Sequence, residues 1–91
     1  MIKQLEPIHL FTVENARVHL YYGNVGDGLQ KHDHVYSHVT ACTSGRLIIR
    51  KENVSLEMTK DTQPVSLKQL EWHEIEILED NTSFSNIFKE L

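Results

Sequence analysis

Hydrophobic and polar residues alternate along most of this chain, and alternation rather than a 3.6-residue repeat is the signature of strands. In ARVHLYYGNV, Val18, Leu20 and Tyr22 share one face while Arg17, His19 and Tyr21 share the other, which predicts a half-buried strand. His19 and Tyr21 read as packing or dimer-contact residues. Gly23-Asn24 and Gly26-Asp27-Gly28 punctuate its end. A second extended run is expected from Leu29, its inward parity carried by His32, His34, His38, Thr40 and Cys42. RLIIRK and VSLEMTK, joined at Glu52-Asn53, read as a hairpin with Val54, Leu56 and Met58 on one face. After the turn at Asp61-Thr62-Gln63-Pro64, VSLKQLEWHEIEIL sets His73, Ile75 and Ile77 opposite Trp72, Glu74 and Glu76. SFSNIFKEL closes the chain, with Phe84 and Phe88 as candidate plugs of the interior.

No capped helical pattern occurs, and strands separated by turn signals every ~8–12 residues predict an all-β sandwich or barrel. Residues 1–15 are expected to be an arm in which Ile8, Leu10 and Phe11 lie along a sheet edge or a neighbouring subunit, with His9 on the surface. The whole chain, 1–91, reads as one domain, its barrel spanning 16–88. A chain this short buries only about 60–65% of its unfolded surface, so a homodimer is expected to cover its edges.

Composition narrows the function classes. With 40% hydrophobic and 24% charged residues the chain is ordinary globular material. A net charge of −4 without a Lys/Arg cluster argues against nucleic acid or an anionic membrane as partner. No apolar run approaches the ~18 residues of a membrane span, and MIKQLEPIHLF lacks a signal peptide's apolar core, so the expected location is cytoplasmic. Cys42, the single cysteine, excludes an intrachain disulfide and reads as a small buried hydrophobe, roughly 13 Å along an extended strand from His38. Met58 reads as core filler rather than a soft ligand.

The candidate chemistry lies in GDGLQKHDHVYSHVTACTSG, where His32, His34 and His38 fall within seven residues, with His73 following in EWHEI. An extended backbone can aim all three even-numbered residues into one space, whereas on a helix His32 would leave the face shared by His34 and His38. Val35, Tyr36, Val39 and Thr40, β-branched or aromatic, favour the strand. The interleaved residues rule out an expression tag. A metal site is the leading reading, because imidazole is the commonest metal ligand. A hydrogen-bonded core cluster and a pH-sensing cluster are the alternatives.

The same stretch resembles the first motif of the cupin superfamily, which runs glycine, five residues, His-x-His, three or four residues, glutamate, six residues, glycine. Here the run is Gly26, five residues, His32-Asp33-His34, three residues, His38, six residues and Gly45, so every spacing fits and histidine replaces the glutamate. SLKQLEWHEIEI is similar to the second motif, with His73 in its ligand place, Lys68 for the proline, Leu70 for the glycine and Ile77 where an asparagine often lies. The resemblance covers roughly residues 16–88. It implies a small antiparallel β-barrel of jelly-roll type in which His32, His34, His38 and His73 converge on a divalent transition metal.

Four nitrogen donors suit manganese, iron, nickel, copper or zinc better than calcium or magnesium. Histidine in place of glutamate leaves the ion its full +2 charge, which favours a small anionic or enolisable ligand. The resemblance then opens three roles: a dioxygenase- or isomerase-like enzyme, a non-catalytic small-molecule or metal-binding module or sensor, or a metal-stapled structural domain. Tyr36 and Glu71 are the candidate acid–base groups, Glu71 reading also as a solvated residue at the barrel mouth. No phosphate loop or nucleophile elbow accompanies them.

Overall fold

A computed structural model describes residues 1–89, so the last two residues of the expected domain lie outside it. Ten strands run in order: β1 (Lys3–Gln4), β2 (His9–Val13), β3 (Ala16–Gly23), β4 (Asp27–His32), β5 (His38–Ser44), β6 (Leu47–Lys51), β7 (Val54–Met58), β8 (Val65–Leu67), β9 (His73–Ile77) and β10 (Thr82–Lys89). They form two five-stranded sheets, β1-β4-β9-β6-β7 and β2-β3-β10-β5-β8. The chain repeatedly passes from one sheet to the other, as a jelly roll requires. No helix occurs among the described residues, and none is therefore long and apolar enough to cross a membrane.

The all-β jelly-roll expectation holds, and three features refine it. The sheets face one another without a hydrogen-bonded seam closing them into a barrel. Pairing is antiparallel except at β1, which lies parallel to β4. The N-terminal arm supplies an edge strand to each sheet, β1 to the first and β2 to the second, which satisfies backbone groups that a loose arm would leave to solvent.

Two extended runs expected from the sequence are broken. The run from Leu29 to Cys42 stops at His32 in the first sheet and resumes at His38 in the second. VSLKQLEWHEIEIL likewise divides into β8 and β9 on opposite sheets. Side-chain parity alone cannot reveal a change of sheet, because a chain that crosses over can keep pointing inward. The inward residues His38, Thr40 and Cys42 are indeed buried, as are His73, Ile75 and Ile77.

The core lies between the sheets. Leu29, Leu47, Ile49, Ile75 and Ile77 come from the first, and Tyr21, Cys42, Leu67 and Phe84 from the second. Tyr21 stacks on Phe84 with ring centroids 4.8 Å apart. On β3 the inward face is therefore His19, Tyr21 and Gly23, and Tyr22 points outward. Met58 and Cys42 are core members, as expected. The β6–β7 hairpin forms as expected, with Asn53 at φ 65° in its turn. Gly45, last glycine of the first motif, has φ 74°, and a Cβ there would meet Thr82 Oγ1 at 2.1 Å. Only glycine permits both the left-handed turn and that approach.

Candidate metal centre

One end of the sandwich gathers the histidines. His32 closes β4 and is the cross-strand partner of His73, the first residue of β9. A β-bulge lies between Leu29 and His32, since Leu29 pairs with Ile75 but His32 pairs with His73. The extra residue changes the phase of the strand, so odd-numbered Leu29 and even-numbered His32 both face inward. His34 sits in the segment 33–37 that crosses to the second sheet, where His38 opens β5. Ring centroids are 4.5 Å apart for His32 and His73, 5.1 Å for His34 and His73, and 4.8 Å for His34 and His38.

Backbone carbonyls orient three of these rings. His32 Nδ1 donates to Gln30 O at 2.5 Å, His34 Nδ1 to Tyr36 O at 2.7 Å and His73 Nδ1 to Glu71 O at 3.1 Å. Carbonyl oxygen only accepts, so each Nδ1 carries a proton, and Nε2 is the nitrogen left to ligate a metal when the ring binds as neutral imidazole. One ring nitrogen from each of the three lies within 4.8 Å of the others. Two nitrogens bound to one ion at ~2.1 Å can be at most ~4.2 Å apart, so a small inward movement of the rings suffices for ligation. His73 Nε2 is buried without a partner among the described residues. The donor set and this unpartnered atom fit a divalent transition ion.

His38 stands just outside this trio. Its ring is 5.3 Å from that of His73, it is buried, and neither of its nitrogens has a partner among the described residues. Burial first, then the neighbouring imidazoles, hold its pKa down at about 3. Burial and His32 lower that of His73 to about 4. Burial lowers that of His34 against the opposing pull of the Tyr36 carbonyl. These rings are therefore neutral at pH 7, the form in which imidazole ligates metals.

The two crossing segments brace one another: Leu70 N donates to His34 O at 2.8 Å and Gln69 N to Ser37 Oγ at 3.1 Å. Leu70, standing where the second motif has glycine, has φ 63°. The glycine-like backbone persists although the glycine is gone, at a cost of about 1–2 kcal/mol for a side chain with Cβ.

The two acid–base candidates part company. Tyr36 stacks on His34 at 4.2 Å and on Phe88 at 4.7 Å, forming a wall of the cleft above the cluster. The Glu71 carboxylate turns instead to Lys51 Nζ at 3.4 Å and accepts from Lys68 N at 3.3 Å. The Lys68 amide is the main reason its pKa is lowered. What Glu71 offers the site is its carbonyl, which orients His73.

The cleft encloses about 280 Å³. Lys31, lying 4.2 Å over the Trp72 ring, lines it, and among the described residues no carboxylate does. His19, read from sequence as a packing or dimer-contact residue, lines it together with Asn86. The signal for His19 was its shared parity with Tyr21, and the core position of Tyr21 identifies that face as the inner one. Asn86 carried no signal in the sequence beyond shared parity with Phe84 and Phe88.

No family pattern matches the chain at the level of sequence, and no curated protein does so either. Solved structures do match. A cupin superfamily protein from Desulfitobacterium hafniense superposes with a TM-score of 0.80 at 10% identity, covering 100% of this chain and 82% of that one. KdgF from Halomonas sp. gives 0.80 at 9% identity, covering 96% and 86%. A cupin domain from Bordetella pertussis gives 0.72 at 17% identity, covering 100% and 98%. Identities this low carry the fold alone, and with the sheet order and the histidine-bearing rim described above they give the conclusion that this chain has the cupin fold.

Proposed function

We propose that this chain is a metal-binding cupin domain that takes a small anionic or enolisable molecule beside a divalent transition ion: manganese, iron, nickel, copper or zinc. The observation that carries the reading is the set of three Nδ1–H···O=C bonds, which orient three rings to present Nε2 to one space. In this reading His32, His34 and His73 hold the ion and His38 completes the set. Such an ion, when bound, supplies a Lewis acid that polarises an oxygen of the ligand. Lys31 draws an anion toward a cleft with no carboxylate among its described lining residues, the Tyr36 ring limits water, and the Tyr36 hydroxyl is an acid–base group available there.

The test is metal content after expression in media supplemented with each ion in turn. About one ion per chain is expected, with His73→Ala emptying the site and His38→Glu keeping it. His38→Glu should weaken azide binding, because the added carboxylate lowers the site's formal charge from about +2 to +1. Metal-free protein from every medium would overturn the reading.

A non-catalytic binding role is favoured by one observation, the engagement of Glu71 with Lys51 and Lys68, which turns its carboxylate away from serving as base. Dioxygen uptake with small diketones, catechols or keto acids would decide for the dioxygenase-like enzyme; binding without turnover would decide for the module.

We also propose a homodimer built on the outer face of the second sheet. There Phe11, Val18, Ile87 and Val39 are cross-strand neighbours in a single row, with Phe11 44%, Ile87 37% and Val39 36% exposed. A second copy offers the same uncharged strip to a two-fold contact. Light scattering should give twice the monomer mass, and Phe11→Glu should return the monomer; a monomeric wild type would refute this.

A further inference from the structure

We propose that the cleft grips its ligand at two ends, with His19 and Asn86 receiving the end remote from the histidine cluster, so that the ligand is a small dicarboxylate or a carboxylate bearing a second oxygen group. The inference rests on the metal-binding reading and specifies the ligand of the same cleft.

Strand register divides the inner face of the second sheet into rows. Tyr21, Phe84 and Cys42 are cross-strand neighbours and form an apolar row. Two residues along each strand, His19, Asn86 and Thr40 are cross-strand neighbours and form a polar one. Another two residues bring Phe88 and, at the head of β5, His38. Two residues of strand span roughly 6–7 Å, so the polar row lies about that far from the level of the metal centre.

This row is built to present donors. Thr40 is fully buried and Asn86 is 7% exposed. The Thr40 hydroxyl donates to Asn86 Oδ1 at 2.6 Å. That bond occupies the amide oxygen, and the NH2 group is what Asn86 has left to offer the cleft it lines. His19 Nε2 is buried with no partner among the described residues, its ring held edge-on to Phe88 at 4.9 Å. A buried ring nitrogen at a cleft wall is costly to leave unpaired, and a ligand oxygen supplies the missing partner. Burial, reinforced by Arg17, keeps the ring neutral, so it recognises oxygen by hydrogen bonding in the Nε2–H tautomer rather than by charge.

The stacked rings of Phe88, Tyr36 and His34 run between the two polar ends as a continuous apolar wall. At ~30 Å³ per water-sized group, the cleft of about 280 Å³ holds about nine such groups, suited to a chain of about five carbons with oxygens at both ends.

The deciding experiment titrates metal-loaded protein with glutarate and with butanoate, with metal content measured in each sample. Glutarate should bind at least about ten-fold more tightly than butanoate, the effect of hydrogen bonds to one additional charged group. His19→Phe keeps a ring against Phe88 and removes Nε2; Asn86→Asp sets a carboxylate against the ligand's far end. Each should reduce the preference about ten-fold while metal content and butanoate affinity hold. If His19→Phe fails to fold, as its melting curve would show, the nearly isosteric Asn86→Asp decides alone. Metal-loaded wild type that treats the two acids alike, or a preference that survives in the folded variants, overturns this inference and leaves the metal-binding reading intact. Protein that takes up no metal overturns both.

Discussion

The two sheets differ in what their inner faces are made of. The first contributes Leu29, Leu47, Ile49, Ile75 and Ile77, an unbroken apolar surface until the rim, where His32 and His73 appear. The second alternates: an apolar row through Tyr21, Phe84 and Cys42, a polar row through His19, Asn86 and Thr40, then Phe88 and His38. Stability and recognition are thus unequally shared. An apolar sheet face tolerates no polar substitution but asks for no partner, whereas a polar inner row must be satisfied by its own members or by a ligand.

The comparison breaks most readily on the first sheet. Ile75→Ala removes a fully buried side chain from the middle of β9 and should cost about 2–5 kcal/mol in denaturant unfolding. A loss below about 1 kcal/mol would mean that the apolar face is not where the stability lies.

At the rim, pH should act through the buried imidazoles. The folded pKa values of His38 and His73 are about 3 and 4, below the ~6.5 of the unfolded chain. Between these limits the unfolded state binds protons that the folded state refuses, so stability rises with pH there. In chelator, the melting temperature should therefore be full above about pH 6.5 and decline as pH falls toward 4 and 3. A flat profile over that window would show that these rings are not buried neutral. With metal bound, the decline should begin from a higher melting temperature, since each ligating ring must stay unprotonated.

His38 tests whether the second sheet reaches the ion. As a fourth ligand, its replacement by alanine should lower metal affinity by more than the ~10–100-fold that a merely supporting group costs. A smaller loss would leave a three-histidine site carried by the first sheet and the crossing segment.

Leu70→Gly should stabilise the protein, by about 1 kcal/mol or ~4–8 °C in melting temperature, because it relieves an exposed leucine held at φ 63°. Unchanged or lowered stability would mean that the side chain has a role the backbone does not explain. The smallest effect should come from Glu71→Gln. It removes a partly exposed ion pair with Lys51 worth at most about 0.5–1 kcal/mol, and metal uptake should be unaffected because the Glu71 carbonyl, not its carboxylate, holds His73.

Much of this was legible in the sequence. Alternation gave the strands, the β6–β7 hairpin and the inward residues of β5 and β9, because parity reports directly on burial. The four histidines were visible as a spacing, and they do meet at one end. The single extended run from Leu29 to Cys42 was not correct, because parity is silent about which sheet a strand joins. For Glu71 parity places a Cβ but not the carboxylate beyond it, which contacts Lys51 and Lys68. His19 was passed over because β3 is apolar on one face and aromatic on the other, and only the packing of Phe84 against Tyr21 decides which is inside. Leu70 disguised the second motif by losing its glycine while keeping its backbone shape.

The bulge in β4 bears on how the rim tolerates change. Gln30 and Lys31 occupy the stretch where two strands fall out of step. A one-residue deletion in that stretch would leave Leu29 and the histidine two positions apart, and plain alternation would still aim both inward, opposite Ile75 and His73. Substitution scanning would not reveal this tolerance, because a replaced residue still counts as one. The bulge is therefore the place where this strand can lose a residue and keep its histidine at the rim.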